Sequence, residues 1–229
     1  MSIFHRSILA GAAIVPEDED DPMLKNILLE PDGTIIAMNR WALYAASPVN
    51  VNIIKALPLT DTSLIAPAIV STNQIENLVK TIPTDKSFKG MLEYTSIKNS
   101  EGNILECFIH DGRGVRNITL RASQTNNLLL QWRDRFKNLS MKKSGLTNFV
   151  YNRARLRTVI KAVEMSCKYN GEFAFIDQKP FENGYIWKTF NELTGQTVLI
   201  VWILSTLEKN LPTSFWERTL FPINSLRRP

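Results

Sequence analysis

Short apolar runs, each bounded by a turn signal, recur along the whole chain. Two of them, residues 24–29 and 35–37, lie on either side of a Pro-Asp-Gly triplet that ends at Gly33. Apolar runs around an Asp-Gly turn predict a β-hairpin, because glycine adopts the positive φ angle of such a turn at little cost. A third strand is predicted to begin near Trp41, so the first part of the chain is expected to form antiparallel sheet.

The next part of the chain places one helix among several strands. The helix is predicted from apolar residues at helical spacing, namely Ile75, Leu78, Val79 and Ile82. Strands are predicted over residues 51–59, 64–70, 90–98, 103–110 and 115–121. Because Pro67 interrupts the second of these strands and cannot donate a hydrogen bond to a neighbour, that strand is predicted to lie at a sheet edge.

The order of elements, rather than residue identity, forms a repeat. Residues 2–13 have the spacing of a short helix that Pro16 ends, so residues 1–121 are predicted to contain helix and strands twice over. Residues 149–204 repeat this order with a short strand, a helix predicted over residues 153–168, and three further strands. Those three strands are predicted at residues 172–176, 185–191 and 196–204.

The helix predicted over residues 153–168 has two different sides. The apolar side is expected to face the sheet and consists of Leu156, Val159, Ile160, Val163 and Cys167. The other side carries a line of basic residues that Glu164 interrupts once, namely Arg153, Arg157, Lys161 and Lys168. Successive positions on such a line lie about 6 Å apart, which lets basic side chains contact phosphates without reading bases. A solvated helix face is the alternative interpretation.

Charge is unevenly distributed between the two parts of the chain. Residues 1–129 hold 11 basic and 14 acidic residues, a net charge of −3, and residues 130–229 hold 16 and 8, a net charge of +8; the sum is the overall +5. This asymmetry is compatible with a polyanionic partner for the C-terminal part, and equally with a solubilising surface.

Length and composition indicate a globular protein that does not use a membrane. The 229 residues suffice for one or two domains. The longest apolar run, residues 198–204, is too short to span a membrane, and the early acidic residues argue against a secretory signal. Cys107 and Cys167 lack the spacing of a metal site, so we predict a reduced, cytoplasmic chain, although the spacing leaves their pairing open.

The sequence does not contain the motifs that usually accompany enzyme chemistry. Neither a Gly-x-Ser-x-Gly nucleophile motif nor a glycine-rich phosphate-binding loop occurs. His110 precedes an Asp-Gly turn, which is more typical of a solvated turn histidine than of a general base. We therefore predict a non-catalytic protein that needs no metal and no cofactor.

The hairpin and the residues that follow it resemble a known family. The pattern Pro-x-Leu-x-x-Ile-Leu-Leu-Glu-x-Asp-Gly, followed by a strand that runs through residues 37–43, is similar to the corresponding stretch of the bacterial DNA sliding clamp, the β subunit of the replicative polymerase. The family has Ala-Thr-Asp-Gly-His-Arg-Leu at this place. Ala37 and Leu43 match it, and Asn39 replaces the aspartate. The resemblance covers residues 1–121 and 148–206.

This resemblance implies an α+β, DNA-clamp-like fold in which antiparallel sheets carry pairs of helices on one face. It implies that the helices line a hole for duplex DNA and that subunits form a homo-oligomeric ring. It also implies a DNA polymerase or another replication protein as partner. In the family the stretch equivalent to residues 37–43 helps to line a pocket for partner peptides, which here assigns partner binding to Met38, Arg40, Trp41 and Leu43.

We predict four segments: a clamp-like domain over residues 1–121, a connecting segment over 122–147, a second, partial clamp-like domain over 148–206, and a tail over 207–229. The predicted function is that of a sliding-clamp-like processivity factor, which tethers a replication or repair enzyme to duplex DNA independently of sequence. The DNA contacts are expected from Arg153, Arg157, Lys161 and Lys168. The alternative is a protein-interaction or assembly module that has the same scaffold and does not bind DNA.

Overall fold

The fold is known from a computed structural model, which describes residues 2–17, 20–50, 52, 63–84, 92–123, 127–140, 153–167, 176–181 and 184–203. The described strands are β1 Ile3–His5, β2 Asn26–Leu29, β3 Ile35–Met38, β4 Ala42–Ala46, β5 Ala68–Ser71, β6 Tyr94–Asn99, β7 Ile104–His110, β8 Val115–Ser123, β9 Asp177–Phe181, β10 Gly184–Asn191 and β11 Gln196–Ile203. The described helices are α1 Arg6–Ile14, α2 Thr72–Thr81, α3 Asn127–Leu130, α4 Trp132–Ser140 and α5 Arg153–Ser166.

All described strands belong to one antiparallel sheet. Their order is β1-β6-β7-β8-β5-β2-β3-β4-β11-β10-β9. The predicted hairpin is β2–β3, in which Leu29 pairs with Ile35 across the turn, and Gly33 in that turn has a φ angle of 95°. The prediction that antiparallel strands follow an Asp-Gly turn is therefore confirmed.

Most of the described elements fall into three units, of which the first two have the order strand, helix and three strands, and the third has a helix followed by three strands. The first unit is β1-α1-β2-β3-β4, the second is β5-α2-β6-β7-β8, and the third is α5-β9-β10-β11. The first two units exchange their first strands, because β1 pairs with β6 and β5 pairs with β2. The third unit joins through β11, which pairs with β4 over five residues. The predicted repeat in element order is thus present, and the exchanged strands interlock the first two units.

Three helices cover one face of the sheet, which we call the helical face. The central helix is α1, which contacts α2 on one side and α5 on the other. A Cβ atom on Gly11 would lie 2.1 Å from the Ser166 Oγ and 2.9 Å from the Ala162 carbonyl oxygen. Only glycine therefore permits α1 and α5 to approach this closely. The Tyr44 hydroxyl, 2.8 Å from the Ser166 Oγ, ties this contact to β4.

The opposite face of the sheet, which we call the outer face, carries a second apolar cluster. Successive strand residues point to opposite faces. Tyr44 accordingly belongs to the core beneath the helices, whereas Leu43 packs in the outer cluster together with Leu129. The helices α3 and α4 therefore lie on the outer face, across the sheet from α1, α2 and α5. Both helices belong to the connecting segment that was predicted over residues 122–147.

Two predictions about local structure are wrong. The first helix does not begin at residue 2, because Ile3–His5 form a strand that pairs with β6 before α1 starts. The β5 strand is not at an edge, because it pairs with both β2 and β8. Pro67 precedes β5 instead of lying within it, so every residue of the strand keeps its N–H donor.

The outer limits of other predicted elements also changed. The third unit begins its sheet with β9 at Asp177, whereas residues 172–175 lie outside the described residues. The strand predicted over residues 51–59 lies outside the described residues, except for Asn52. The predicted strand at 149–151, Lys168 and the tail over 207–229 also lie outside the described residues. Among the helices that the structure describes, none is long and apolar enough to cross a membrane.

Candidate nucleic-acid interface

The helix α5 is held against the protein by one side only. Its buried residues are Val159, Ala162, Val163 and Ser166. Leu156 packs at the border of the core, as predicted, but Ile160 is 39% exposed and does not belong to the buried side. The reason is the close contact with Gly11, which centres the buried side on Ala162 and Ser166 and turns Ile160 towards solvent.

The basic side of α5 faces solvent. Arg153, Arg157 and Lys161 are exposed and follow one another at intervals of one helical turn. Among the described residues, no acidic side chain pairs with Arg153 or Arg157. The structure thus brings three of the four predicted DNA-binding residues onto one accessible side, and the fourth, Lys168, lies outside the described ranges.

Lys161 differs from the two arginines because it already has an acidic partner. Its Nζ lies 3.0 Å from the Glu17 Oε2, and the two side chains are 56% and 50% exposed. Such a solvated pair is weak, so a phosphate could compete for the ammonium group. Glu17 is the first of the five consecutive acidic residues at positions 17–21. Its position beside α5 could not be foreseen, since the two residues are 144 positions apart.

Arg155 contacts an aromatic ring instead of lying on the basic line. Its guanidinium carbon is 5.5 Å from the centre of the Trp41 ring, within the range of a cation–π interaction. The Trp41 side chain packs at the border of the core beneath the helices. The Asn39 side chain shapes the preceding turn, because its Oδ1 accepts the Trp41 N–H at 3.0 Å and its Nδ2 donates to the Val15 carbonyl at 2.6 Å.

The four residues predicted to bind a partner do not form one surface. Met38 and Leu43 are register partners in β3 and β4, and both are buried on the outer face beneath α3 and α4. Arg40 is exposed in the turn between these strands. Trp41 lies on the helical side, next to Arg155. The structure therefore joins Met38 to Leu43 and separates both from Trp41.

A groove of about 270 Å³ runs between α2 and α5, above α1. Its apolar floor consists of Ala10, Ala13, Ile14, Val79 and Met165. Its rim carries two acidic and two basic side chains, namely Glu17, Glu76, Lys80 and Lys161. This rim could not be predicted from the sequence, because only the packing of α1, α2 and α5 brings Glu76 and Lys80 near Glu17 and Lys161.

The groups that could carry chemistry lie in unreactive settings. Cys107 and Cys167 are free and buried, and burial raises the pKa of the Cys107 thiol to about 12. Burial also raises the pKa of Cys167, against the opposing effect of a hydrogen bond with Thr189. His110 accepts the Gly112 N–H at 3.2 Å in the turn after β7, as expected for a turn histidine. No group of three or more potential metal ligands occurs within the described ranges.

Repeated units that place their helices on one face of an antiparallel sheet define this chain as an α+β protein with a sliding-clamp-like fold. Among solved structures, it is similar to a putative DNA polymerase III beta subunit from Eubacterium rectale, with 8% identity, a TM-score of 0.50, and coverage of 96% of this chain and 67% of that one. It is also similar to the PCNA2-PCNA3 complex from Sulfolobus tokodaii, with 11% identity, a TM-score of 0.48, and coverage of 89% and 98%. No family model and no curated protein matches the sequence. At 8% identity the likeness to the beta subunit shows the fold alone.

Proposed function

We propose that this protein is a non-catalytic, sliding-clamp-like processivity factor, which holds duplex DNA against its helical face and tethers a replication or repair enzyme. The observation that carries the proposal is the exposure of Arg153 and Arg157 on α5, while the other side of α5 packs against α1. The clamp-like fold supports it, because that fold places the helices together on one face of the sheet.

In this mechanism the affinity for DNA comes from phosphate neutralisation. Arg153 and Arg157 would displace counterions from the duplex without reading bases. Lys161 would contribute only when a phosphate displaces Glu17, which is 3.0 Å away. Binding is therefore expected to be independent of sequence and strongly dependent on salt.

The matched experiment compares two charge reversals of equal size. One variant is Arg153→Glu with Arg157→Glu on the helical face. The control is Lys179→Glu with Lys188→Glu on the outer face, where Lys179 is the register partner of Ile186, a residue that packs in the outer cluster. Duplex affinity is measured by fluorescence anisotropy over a range of salt concentrations.

We expect the helical-face variant to lose at least about tenfold in affinity and to reduce the slope of log affinity against log salt by about 2. The outer-face variant is expected to keep both the slope and most of the affinity. Equal losses in the two variants would show that net charge, and not the α5 surface, governs binding. If the Arg153 and Arg157 variant keeps its affinity, DNA does not bind to the helical face.

We further propose that copies of this chain form a closed ring in the cytoplasm. In this proposal residues 1–121 form one clamp-like domain and residues 148–206 form a second, partial one, joined by residues 122–147. The tail over 207–229 would serve partner contacts. Native mass spectrometry tests the ring: a closed dimer or trimer supports it, and a monomer at micromolar concentration contradicts it.

A second candidate function is a protein-interaction module on the same scaffold. Two observations favour it: Lys161 is already paired with Glu17, and the outer face of the first unit carries an apolar cluster. A monomer that binds no duplex DNA would support this module, whereas salt-dependent binding by a ring would support the clamp.

A further inference from the structure

The turn that follows α1 carries a carboxylate in an unfavourable place. Helix α1 ends at Ile14, and the Glu17 N–H donates to the Ile14 carbonyl at 3.2 Å. Because the C-terminal end of a helix bears a negative partial charge, an acidic residue there is unfavourable and a basic residue is favourable. The last turn of α1 contains no basic residue. The positive charge beside Glu17 comes instead from another unit, from Lys161 on α5.

The backbone of this turn is held in place by the sheet. Asn39 lies between β3 and β4 and is 5% exposed. Its Nδ2 donates to the carbonyl of Val15, the C-cap of α1, at 2.6 Å, and its Oδ1 accepts the Ala42 N–H at 2.7 Å. These bonds fix the chain two residues before Glu17. Pairing with Lys161 therefore orders two side chains and no backbone, which lowers the entropic cost of the contact.

Glu17 reaches the basic side of α5 at one end. The Lys161 Nζ lies 3.0 Å from the Glu17 Oε2. Arg157 and Arg153 lie one and two helical turns before Lys161, about 6 and 12 Å along the helix axis. Neither arginine forms an ion pair with an acidic side chain in the part of the chain that the structure describes. A bound duplex would thus meet two available guanidinium groups and one ammonium group that already holds a carboxylate.

We propose that Glu17 is an autoinhibitory residue, which occupies Lys161 in cis where a DNA phosphate would bind. This inference rests on the proposed function and deepens it, because α5 then has two contact states. Arg153 and Arg157 hold the duplex while Glu17 is paired, and Lys161 joins them when Glu17 is displaced. Since both partners of the pair are more than half or half exposed, the pair is weak and both states are populated.

The two states differ in the ions that DNA binding releases. A phosphate that Lys161 neutralises releases about 0.9 of a counterion from duplex DNA. The same step separates Lys161 from Glu17, and the freed carboxylate then attracts a cation from solution. Because this uptake offsets the release, Lys161 adds little to the salt dependence as long as Glu17 is present. The contribution of α5 to the slope of log affinity against log salt should therefore be about 2, although α5 exposes three basic residues on this side.

The test compares two variants of the full chain that remove the same charge. Glu17→Gln frees Lys161. The control is Glu164→Gln: Glu164 is exposed on the same side of α5, and no ion pair joins it to a basic side chain among the described residues. Duplex affinity is measured by fluorescence anisotropy over a range of salt concentrations.

We expect Glu17→Gln to steepen the slope by about 1 and to raise the affinity at low salt about threefold, because Lys161 is then available all the time. The control should leave the slope unchanged. An unchanged slope in Glu17→Gln, or equal steepening in the two variants, would overturn the proposal.

Removing the lysine tests the same contact from the other side. Lys161→Gln should change the slope little in the natural chain, because Glu17 already neutralises Lys161. In the Glu17→Gln background the same substitution should lower the slope by about 1. A decrease of about 1 in the natural chain as well would show that Glu17 does not compete with phosphate, and that the pair only supports the fold.

Amine labelling tests the contact without DNA. The full chain is treated with an amine-reactive ester, and mass spectrometry compares the labelling of Lys161 with that of Lys80, an exposed residue on the rim of the same groove. We expect the ratio of Lys161 to Lys80 labelling to rise about twofold in Glu17→Gln, because the ion pair no longer shields Nζ. An unchanged ratio would show that Glu17 does not hold Lys161 in solution, and the proposal would be wrong.

The outcomes also distinguish the two proposals. If neither the natural chain nor Glu17→Gln binds duplex DNA, the proposed function is wrong and autoinhibition fails with it. If both bind duplex DNA with the same salt slope, only autoinhibition by Glu17 is wrong.

Discussion

The first and second units share one order of elements but differ on the outer face. In the first unit every residue of β3 and β4 is buried. In the second unit β7 alternates between buried and less buried positions, and most of β8 is exposed. The burial pattern along a strand therefore indicates whether one or both faces of the sheet are covered. Alternation accompanies one covering layer, and a continuous apolar strand accompanies two.

The two outer faces are accordingly stabilised in different ways. In the first unit, Ile36 and Leu43 pack beneath α3 and α4. In the second unit, the Lys98 Nζ lies 3.0 Å from Glu106 and 5.1 Å from the centre of the Phe108 ring. The outer face of the second unit thus exposes charged and amphipathic side chains to solvent. Only the helical face of this unit contributes to the core.

The largest expected effect concerns the helical face of the second unit. We expect this face to exclude solvent as well as the helical face of the first unit does. Burial raises the pKa of the Cys107 thiol from its ordinary 9.0 to about 12, which lowers its thiolate fraction at pH 8 about a thousandfold. In the folded chain, iodoacetamide should therefore leave Cys107 unmodified for hours, as measured by mass spectrometry. Denatured protein, in which both cysteines react rapidly, is the control. Rapid modification in the folded chain would mean that the second unit is loosely packed on both sides.

The next effect compares outer-face side chains of the two units. Ile36→Ala removes a fully buried side chain from the first unit and should lower the free energy of unfolding by about 2–4 kcal/mol. Phe108→Ala, at a partly buried outer position of the second unit, should cost about 1 kcal/mol. Urea unfolding measures both. Similar losses would contradict the claim that the two outer faces differ.

A smaller effect is expected from two glycines that have different surroundings. Gly11→Ala forces a Cβ atom to within 2.1 Å of the Ser166 Oγ, and we expect a loss of about 1–3 kcal/mol in spite of the better helix propensity of alanine. Gly114→Ala in the second unit meets no atom within 4 Å and should change stability by less than about 0.5 kcal/mol. A stabilised Gly11 variant would show that α1 and α5 can separate freely.

The smallest effect compares one ion pair from each outer face. Arg133→Ala removes the partner of Glu30, whose side chain is 8% exposed, and should cost about 1 kcal/mol. Lys98→Ala removes the partner of Glu106, whose side chain is 25% exposed and therefore better solvated than Glu30, and should cost less than about 0.5 kcal/mol. Thermal unfolding in low and high salt distinguishes them, since screening acts mainly on exposed pairs. If Lys98→Ala lowers stability more than Arg133→Ala does, the ion pair of the second unit is the stronger one, and the expected order is wrong.

The individual helices and strands could be predicted well from the sequence, but the pairing of the strands in the sheet could not. The Asp-Gly hairpin, the helix with Arg153 and Arg157 on its exposed side, and the threefold order of elements could all be predicted, because each depends on spacing over a few residues. The exchange of β1 and β5 between units could not be predicted, because strand patterns do not specify which strand lies alongside. For the same reason Pro67 suggested an edge strand, although β5 is internal.

The candidate sites show the same division. The exposure of Arg153 and Arg157 could be predicted from helical periodicity, but the pairing of Lys161 with Glu17 could not. Met38 and Trp41 are close neighbours in sequence and were assigned to one partner surface. In the structure Met38 lies in the outer cluster and Trp41 at the border of the helical core. β3 ends at Met38 and Trp41 lies in the turn before β4, and a turn can place neighbouring residues on opposite sides of a sheet.

By itself, the sequence determined the kinds of elements, their order, and which side of each helix is basic or apolar, because these follow from bonds and contacts between residues a few positions apart. Only the tertiary structure decided that α1 lies between α2 and α5 and that α3 and α4 cover the apolar cluster on the outer face. It also decided that Glu30, beside the hairpin turn, binds Arg133, 103 positions later. Such contacts depend on how the strands of three units align in one sheet, and that alignment is a property of the whole chain.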